Sequence, residues 1–251
     1  MPQPRLLAAS TKTSSEMVTD QDAASASRQA RLAQAGEVLG LNLLPAQQQC
    51  LIDFLALLQR WNRVYNLTAL RDPDEMLSHH VIDCLAVLPA LRRHAAAVHE
   101  APGGKLRILD VGSGGGLPGV VLAALHPEWA VSCVDTVSKK ASFVRQVAVD
   151  LRLANLQGLH ARVESLATAP ARFDVITSRA FASLADFTRL SVDVLAEHGV
   201  WMAMKGKPPT EEQADLPASV AVFHVEQLAV PGLDAQRCLV WMRRNLPAGL
   251  A

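Results

Sequence analysis

An apolar run over residues 106–111 that breaks at once into Gly112, Gly114 and Gly116 constrains this chain more than any other segment. A strand ending in Leu109-Asp110-Val111 and followed directly by glycines lets the backbone turn tightly and approach a ligand with no Cβ in the way. The helix that follows then offers its unpaired N–H groups. Such a turn belongs to a parallel sheet with crossover helices, and the surrounding sequence has the matching alternation. Apolar runs at 106–111, 130–135, 156–160, 173–177 and 200–204 read as strands, and the stretches 118–125, 139–153 and 184–195 between them read as helices. Two further strands, 220–230 and 238–243, are joined through Pro231-Gly232 and close the sheet edge as an antiparallel hairpin. The expected fold class is α/β, a Rossmann-like seven-stranded sheet.

Before Pro102-Gly103-Gly104 the pattern differs. Residues 1–28, rich in Ala, Ser, Thr and Gln, show little periodic hydrophobicity and read as a flexible N-terminal tail. Over 30–39 and 46–65 apolar residues recur at helical spacing; Leu51, Phe54, Leu55, Leu58, Trp61 and Tyr65 mark one face, and Gly40 ends the first helix. Asp72-Pro73-Asp74-Glu75 announces another helix, with Asp72 as cap, Pro73 at the first position and Glu75 able to bond back to the cap. A further helix is expected over 81–91. The division expected is a tail at 1–28, a helical cap at 29–100 and a sheet domain at 101–251. A chain of 251 residues, half of them apolar, is long enough for one such domain with a small appendage.

No apolar run approaches the roughly 18 residues of a membrane span, and the first residues lack the apolar core of a secretion signal, so a soluble cytoplasmic protein is expected. Cys50, Cys84, Cys133 and Cys238 are scattered, with no C-x-x-C and no zinc-ligand spacing; they read as reduced thiols, and no metal is expected. Zero net charge argues against a protein that coats nucleic acid but leaves room for a local basic face.

Two registers compete at the glycine turn. Gly114-x-Gly116-x-x-Gly119 fits a dinucleotide fingerprint but starts too late after the strand. Gly112-x-Gly114-x-Gly116, with Asp110 before it, begins at the strand end, and that form is typical of methyltransferases using S-adenosylmethionine. The second strand ends in Val134-Asp135, where a carboxylate can accept both ribose hydroxyls of an adenosine, although Asp135 could equally cap the helix at Ser138. The third strand leads to Arg162-Val163-Glu164, whose backbone N–H groups are placed to read an adenine edge.

Methyl transfer from a sulfonium is an in-line displacement, so the acceptor must be oriented and needs a base only if it carries a proton. The chain has Ser178-Arg179-Ala180-Phe181 where enzymes for exocyclic amines carry Asn or Asp before Pro-Pro and an aromatic. None of its cysteines suits carbon methylation of a pyrimidine. Guanine N7, with an exposed lone pair, fits what remains. Lys139, Lys140, Arg145, Arg152 and Arg162 lie close together against the single acid Asp150, which suits a nucleic-acid substrate; Arg145, Lys139, Lys140 and Arg162 are the substrate-positioning candidates. Arg60, Arg63, Arg71 and Lys205-Gly206-Lys207 could extend that surface, and Phe181 and Tyr65 are candidates to stack on a flipped base. No catalytic residue is singled out.

The segments Trp61-Asn-Arg-Val-Tyr-Asn-Leu-Thr68, Arg71-Asp-Pro-Asp-Glu-Met-Leu77, His80-Val-Ile-Asp-Cys-Leu-Ala86, Asp110-Val-Gly-Ser-Gly-Gly-Gly-Leu-Pro-Gly119, Arg162-Val-Glu164 and Ser178-Arg-Ala-Phe-Ala-Ser-Leu184 together closely resemble the RsmG (GidB) family, over about residues 30 to 245. The resemblance implies a seven-stranded S-adenosylmethionine-dependent methyltransferase with an N-terminal helical cap. It would act on N7 of a guanine, position 527 in the 530 loop, in bacterial 16S rRNA or the small ribosomal subunit; a monomer is expected. It implies that Gly112, Leu117, Val163, Glu164 and Arg179 contact S-adenosylmethionine, with Leu117 and the Val163-Glu164 backbone near the adenosyl part. It also places Asn62, Asn66, Arg71, His80 and Asp83 at the mouth of the site or in the bracing of the cap. Ser138-Lys-Lys-Ala-Ser-Phe143 carries less positive charge than the corresponding run of many relatives. Two other classes remain open: a methyltransferase for a small metabolite or protein side chain, and a non-catalytic RNA-binding module with a vestigial cofactor pocket.

Overall fold

The computed structural model describes residues 14–98, 105–168, 172–179, 181 and 183–245. Its centre is a seven-stranded sheet: β1 (Arg107–Val111), β2 (Ala130–Asp135), β3 (Leu156–His160), β4 (Phe173–Arg179), β5 (Leu195–Lys205), β6 (Val220–Leu228) and β7 (Arg237–Arg244), in the order β3-β2-β1-β4-β5-β7-β6. The first five strands are parallel, and β7 runs antiparallel between β5 and β6. The hairpin expected at 220–243 is therefore present, with its second strand as the one that joins the sheet. Strand order reverses between β1 and β4, so a crevice opens beyond their C-terminal ends, where ligands bind in doubly wound sheets.

Two strands run longer than their apolar residues suggest. β5 begins at Leu195, although Glu197 and His198 are exposed at the end of the sheet and give no hydrophobic signal. β4 continues through Ser178 and Arg179, paired with Ala203 and Met204; Ser178 is buried, and Arg179 reaches the crevice.

Helices cover both faces. On one side α1 (Ser14–Val38), α2 (Pro45–Tyr65) and α3 (Leu88–Val98) join α4 (Gly119–Leu125) and α5 (Ser138–Asp150). α1 corrects the expected tail: the helix begins at Ser14, so residues 14–28 belong to it, while 1–13 lie outside the described residues. The segment is Ala-rich, which favours helix, but among its described side chains only Leu32 and Ala35 are fully buried, so it has almost no apolar stripe to read. The expected boundary at 100/101 and the Pro102-Gly103-Gly104 punctuation also lie outside the described residues. Gly40, at φ +66°, follows α1 as expected.

The face of α2 predicted from spacing is buried from Leu51 to Leu58, half-buried at Trp61 and exposed at Tyr65, where the helix runs past the core. Leu51, Phe54, Leu55 and Leu58 enter the same core as Ile108 of β1, Val120 of α4 and Phe143 of α5, and the Phe143 ring lies 6.3 Å from Phe54 and 5.4 Å from Trp61. The opposite face of the sheet is covered by α6 (Leu184–Ser191) and the turn Val192–Val194, packed on Leu109, Ile176 and Trp201. Asp72 caps the next helical run as expected: its Oδ1 accepts from the N–H groups of Asp74 (2.8 Å) and Glu75 (3.0 Å), with Pro73 at the first position. That run is unusual, because Leu77–Ile82 forms a π-helical turn between Pro73–Met76 and Asp83–Leu85. Such widened turns are frequent at functional sites. Here it carries His79 and His80 and ends at Asp83.

Gly119 fixes α4 to the sheet. Its N–H donates to Asp110 Oδ2 at 2.9 Å, and a Cβ there would collide with Cys133 Sγ and stand 3.1 Å from Asp110 Oδ2. Gly119→Ala is therefore expected to cost about 2–4 kcal/mol as an overpacked core. Urea melts in wild-type and Cys133→Ala backgrounds check the cause, because removing Sγ should recover at least about half of the loss.

Candidate cofactor and substrate site

Two cavities meet at the glycine turn, and Gly112 lines both. The smaller, about 280 Å³, lies between the ends of β1, β2 and β4 and the turn after β3. It is mainly apolar, walled by Val134, Ala161, Val163, Phe181 and Leu190, with Asp135 and Arg162 as charged members and Glu164 at its edge. Asp135 is almost fully buried. Its Oδ2 accepts from Gly114 N–H (3.1 Å) and its Oδ1 from Val137 N–H (2.8 Å), so it ties the glycine turn to the start of α5. Each carboxylate oxygen keeps a second lone pair for a further donor. Asp135 thus makes the local turn-forming bonds and also lines a ligand-sized cavity.

The larger cavity, about 450 Å³, lies between the glycine turn, the cap and the end of β5. Gly112, Ser113, Gly114 and Leu117 form one wall, Leu58, Leu67 and Thr68 another, His79 and His80 contribute imidazoles, and Asp83, Arg179, Lys205 and Arg237 supply the charge. Asp83, with its side chain 4% exposed, accepts from Arg237 Nε at 2.7 Å and pairs with Arg179 Nη1 at 3.5 Å. Arg179 also donates to the His79 carbonyl at 3.0 Å. His80 Nε2 lies 2.7 Å from Thr68 Oγ1, while Nδ1 faces two Arg179 nitrogens at 3.3 and 3.4 Å. Burial and then the adjacent guanidinium lower the His80 pKa to about 4, so the ring is neutral near pH 7. Lys205 is paired with Glu212, at 2.8 Å, whose carboxylate also takes the Leu184 N–H at 2.9 Å at the start of α6.

The expected site residues divide accordingly. Gly112, Gly114, Leu117 and Arg179 line the larger cavity, and Asp135, Val163 and Glu164 line the smaller one with Gly112, so Leu117 stands apart from Val163 and Glu164. Gly116 lines neither. Its φ is +80°, and a Cβ would stand 2.6 Å from Val120 Cγ2, so this glycine is required by the turn and by helix packing. Ser178, Arg179, Phe181 and Ser183 of the fourth-strand motif are described, whereas Ala180 and Ala182 lie outside the described residues. Phe181 lies in the wall of the smaller cavity, 5.6 Å from the Phe187 ring, rather than where an incoming base would stack.

Of the four basic candidates, only Arg162 lines the smaller cavity. Arg162 is at its rim, Lys139 is exposed at the start of α5, and Lys140 lies 3.8 Å from Asp135 Oδ2. Arg145 donates through Nε to the Gly158 carbonyl at 2.9 Å, which holds its stem against β3. Asn62, Asn66 and Arg71 form a brace: Asn62 holds Thr68 N–H (3.0 Å) and the Leu70 carbonyl (2.8 Å), and Arg71 binds the Asn62 carbonyl (2.9 Å) and Asn66 Oδ1 (2.6 Å). That brace positions Thr68 against His80. Arg237, Thr68 and Met204 are cavity residues that sequence reasoning did not single out.

Among the described residues no helix is long and apolar enough to cross a membrane, and no group of three or more His, Cys, Asp or Glu side chains is arranged to hold a metal ion. The four cysteines are free thiols.

The sheet order, the glycine turn at its switch point and the paired cavities define the Rossmann-like α/β class of nucleotide-cofactor enzymes that includes the methyltransferases. A profile of the family described as rRNA small subunit methyltransferase G (GidB) matches residues 47–240. The ribosomal RNA small subunit methyltransferase G of Acidovorax ebreus is 61% identical over 216 residues, covering 84% of this chain and 93% of that protein. The protein of the same name from Methylibium petroleiphilum is 61% identical over 214 residues, covering 85% and 93%. Among solved structures, a mutant of MtNAS aligns with a TM-score of 0.50 and 16% identity over 84% of this chain and 77% of that one, a likeness of fold alone. The chain belongs to the GidB family of rRNA small subunit methyltransferases.

Proposed function

We propose that the protein binds S-adenosylmethionine across the two cavities and methylates N7 of a guanine in 16S rRNA. The observation that carries the cofactor assignment is the shape and charge of the paired site. An apolar cavity with a buried carboxylate at its edge suits an adenosine. Gly112 also lines a second cavity with excess positive charge, which suits a methionine carboxylate. In this reading Asp135 takes the ribose, Val163 and Glu164 flank the base, and Arg179 takes the carboxylate; the cofactor supplies a methyl group made electrophilic by its sulfonium.

The rRNA assignment rests on the family. The chemistry of the larger cavity agrees with it, because His80 has both ring nitrogens engaged and is held neutral far below its usual range, which suits an acceptor that needs no deprotonation. Leu58, Leu67, Thr68 and Met204 then offer an uncharged wall for the base, and Lys205 stands at the same cavity on the end of β5.

Incubation with methyl-labelled S-adenosylmethionine and small ribosomal subunits or 16S rRNA tests the assignment, with the modified base mapped by strand cleavage at 7-methylguanine. Label in protein or in free nucleotide would overturn it. Lys139 is the cleanest RNA-contact candidate, being exposed at the helix start beside the cradle. Lys139→Ala is expected to weaken RNA binding and to reduce the slope of log affinity against log salt by about one, with cofactor affinity unchanged. Lys140→Ala should disturb both ligands, because Lys140 faces Asp135.

A further inference from the structure

Arg237 enters the larger cavity from the strand most distant in sequence from the cap, yet its Nε shares one buried carboxylate with Arg179. The arrangement is asymmetric in exposure: the Asp83 side chain is 4% exposed, whereas those of Arg179 and Arg237 are 23% and 24% exposed. The acid is sealed under the two guanidinium groups, and the cations face the cavity. His80 beside them is neutral, and Lys205 is matched by Glu212, so the cluster Arg179–Asp83–Arg237 has an excess of one positive charge.

A carboxylate between two arginines would be wasteful if its purpose were to neutralise one of them. Burying an ion pair contributes little net stability, and a second arginine adds its own desolvation cost. The arrangement is productive if Asp83 orders both guanidinium groups while leaving them one net charge for an incoming anion. Arg237 also reaches Asp83 from β7, whose pairing with β5 places Cys238 opposite Lys205, so the hairpin delivers the second cation to the rim of the cavity.

We infer that Arg179, Asp83 and Arg237 form one anion subsite, in which Arg237 supplies the net positive charge and Asp83 positions both arginines for an anionic oxygen of carboxylate or phosphate type. The inference rests on the paired-cavity reading above and extends it to two residues that the glycine and fourth-strand motifs do not contain. The two sources of such an oxygen are the cofactor's methionine end and an RNA phosphate.

The test measures equilibrium binding of three probes to the full chain: S-adenosylmethionine, 5′-methylthioadenosine, which lacks the methionine carboxylate, and a 16S rRNA fragment. Losing a unit charge from a partly exposed site should cost an anion about tenfold in affinity. If the cofactor carboxylate is the occupant, Arg237→Gln weakens S-adenosylmethionine about tenfold and leaves methylthioadenosine within about twofold. Asp83→Asn, which raises the net charge, shifts S-adenosylmethionine binding the opposite way. If a phosphate is the occupant, Arg237→Gln spares both small ligands and weakens the RNA with a shallower salt dependence.

Arg237→Lys keeps the charge but not the planar fork, so for whichever probe Arg237→Gln weakens it should fall between wild type and Arg237→Gln, which covers the case that Asp83→Asn fails to fold. Equal weakening of S-adenosylmethionine and methylthioadenosine by Arg237→Gln would overturn the inference, as would no change in any probe. A wild-type protein that binds neither adenosyl ligand, yet loses RNA affinity in Arg237→Gln, would overturn the cofactor assignment and support the subsite.

Discussion

Between pH 4 and 6.5 the unliganded stabilities of Asp110→Asn and His80→Gln should run in opposite directions, diverging by several kcal/mol, while wild type lies between them. Asp110 is fully buried, and its Oδ2 accepts from Gly119 N–H while its Oδ1 has no partner. Burial pushes its pKa up from 3.8 to about 7, against the pull of the Gly119 N–H and of Arg179. An acid with a raised folded pKa favours folding below its unfolded pKa and loses that contribution as pH rises, here between 3.8 and 7. His80 behaves inversely: with its pKa lowered from 6.5 to about 4, it binds a proton more readily in the unfolded chain. Its contribution is therefore present above 6.5 and lost as pH falls toward 4.

At about 1.4 kcal/mol per pH unit each slope amounts to about 3–4 kcal/mol, and the two nearly cancel over the shared window. Removing Asp110 leaves the histidine slope, so that variant gains stability as pH rises. Removing His80 leaves the carboxylate slope, so that variant loses it. Urea melts at half-unit steps read both slopes, and the other ionisable groups contribute alike to all three proteins. Parallel curves for the two variants would mean that neither group has the folded-state pKa its burial implies.

The opposition of these two groups follows from where the fold places them, and only part of that placement was legible in the sequence. β2 begins and ends where its apolar run does, because it lies inside the parallel sheet with most of its residues buried; β3 also has the expected bounds, although it is an edge strand in which only Leu156 and Gly158 are buried. The α2 face from Leu51 to Leu58 was legible for the same reason as β2. The N-terminal half of α1 was not, since a helix favoured by alanine without an apolar stripe leaves no periodic trace. Gly116 was assigned to the ligand because a one-dimensional pattern does not distinguish a glycine that faces a ligand from one that faces Val120.

The candidate site was legible where its residues lie at strand ends, as with Gly112, Asp135 and Arg179. It was not where long-range pairing supplies them. Arg237 reaches Asp83 across 154 residues of chain, through an antiparallel register that no local signal specifies.

Loss of cofactor binding should be greatest for Asp135→Ala, and the reason is that one carboxylate has two jobs. Its oxygens hold the N–H groups of Gly114 and Val137, which fixes the glycine turn and the start of α5 relative to β2. Removing it leaves two donors beside a buried site, at about 1–3 kcal/mol each if water does not replace the acceptor. The proposed ribose contact goes with it, so affinity for S-adenosylmethionine should fall at least about a hundredfold, and methylthioadenosine and adenosine should be lost in parallel because all three share the ribose.

This pattern differs from that of Arg237→Gln, which discriminates between ligands by their carboxylate. Asp135→Asn keeps one acceptor oxygen for Val137 and should recover most of the thermal stability but little of the ribose affinity, since an amide oxygen is a weaker acceptor than a carboxylate and carries no charge. Calorimetric titration of both variants well below their melting temperatures, with the melts recorded alongside, separates the two jobs. If Asp135→Asn binds adenosine as wild type does while Asp135→Ala is merely less stable, the carboxylate serves the turn alone, and the smaller cavity holds some other part of the ligand.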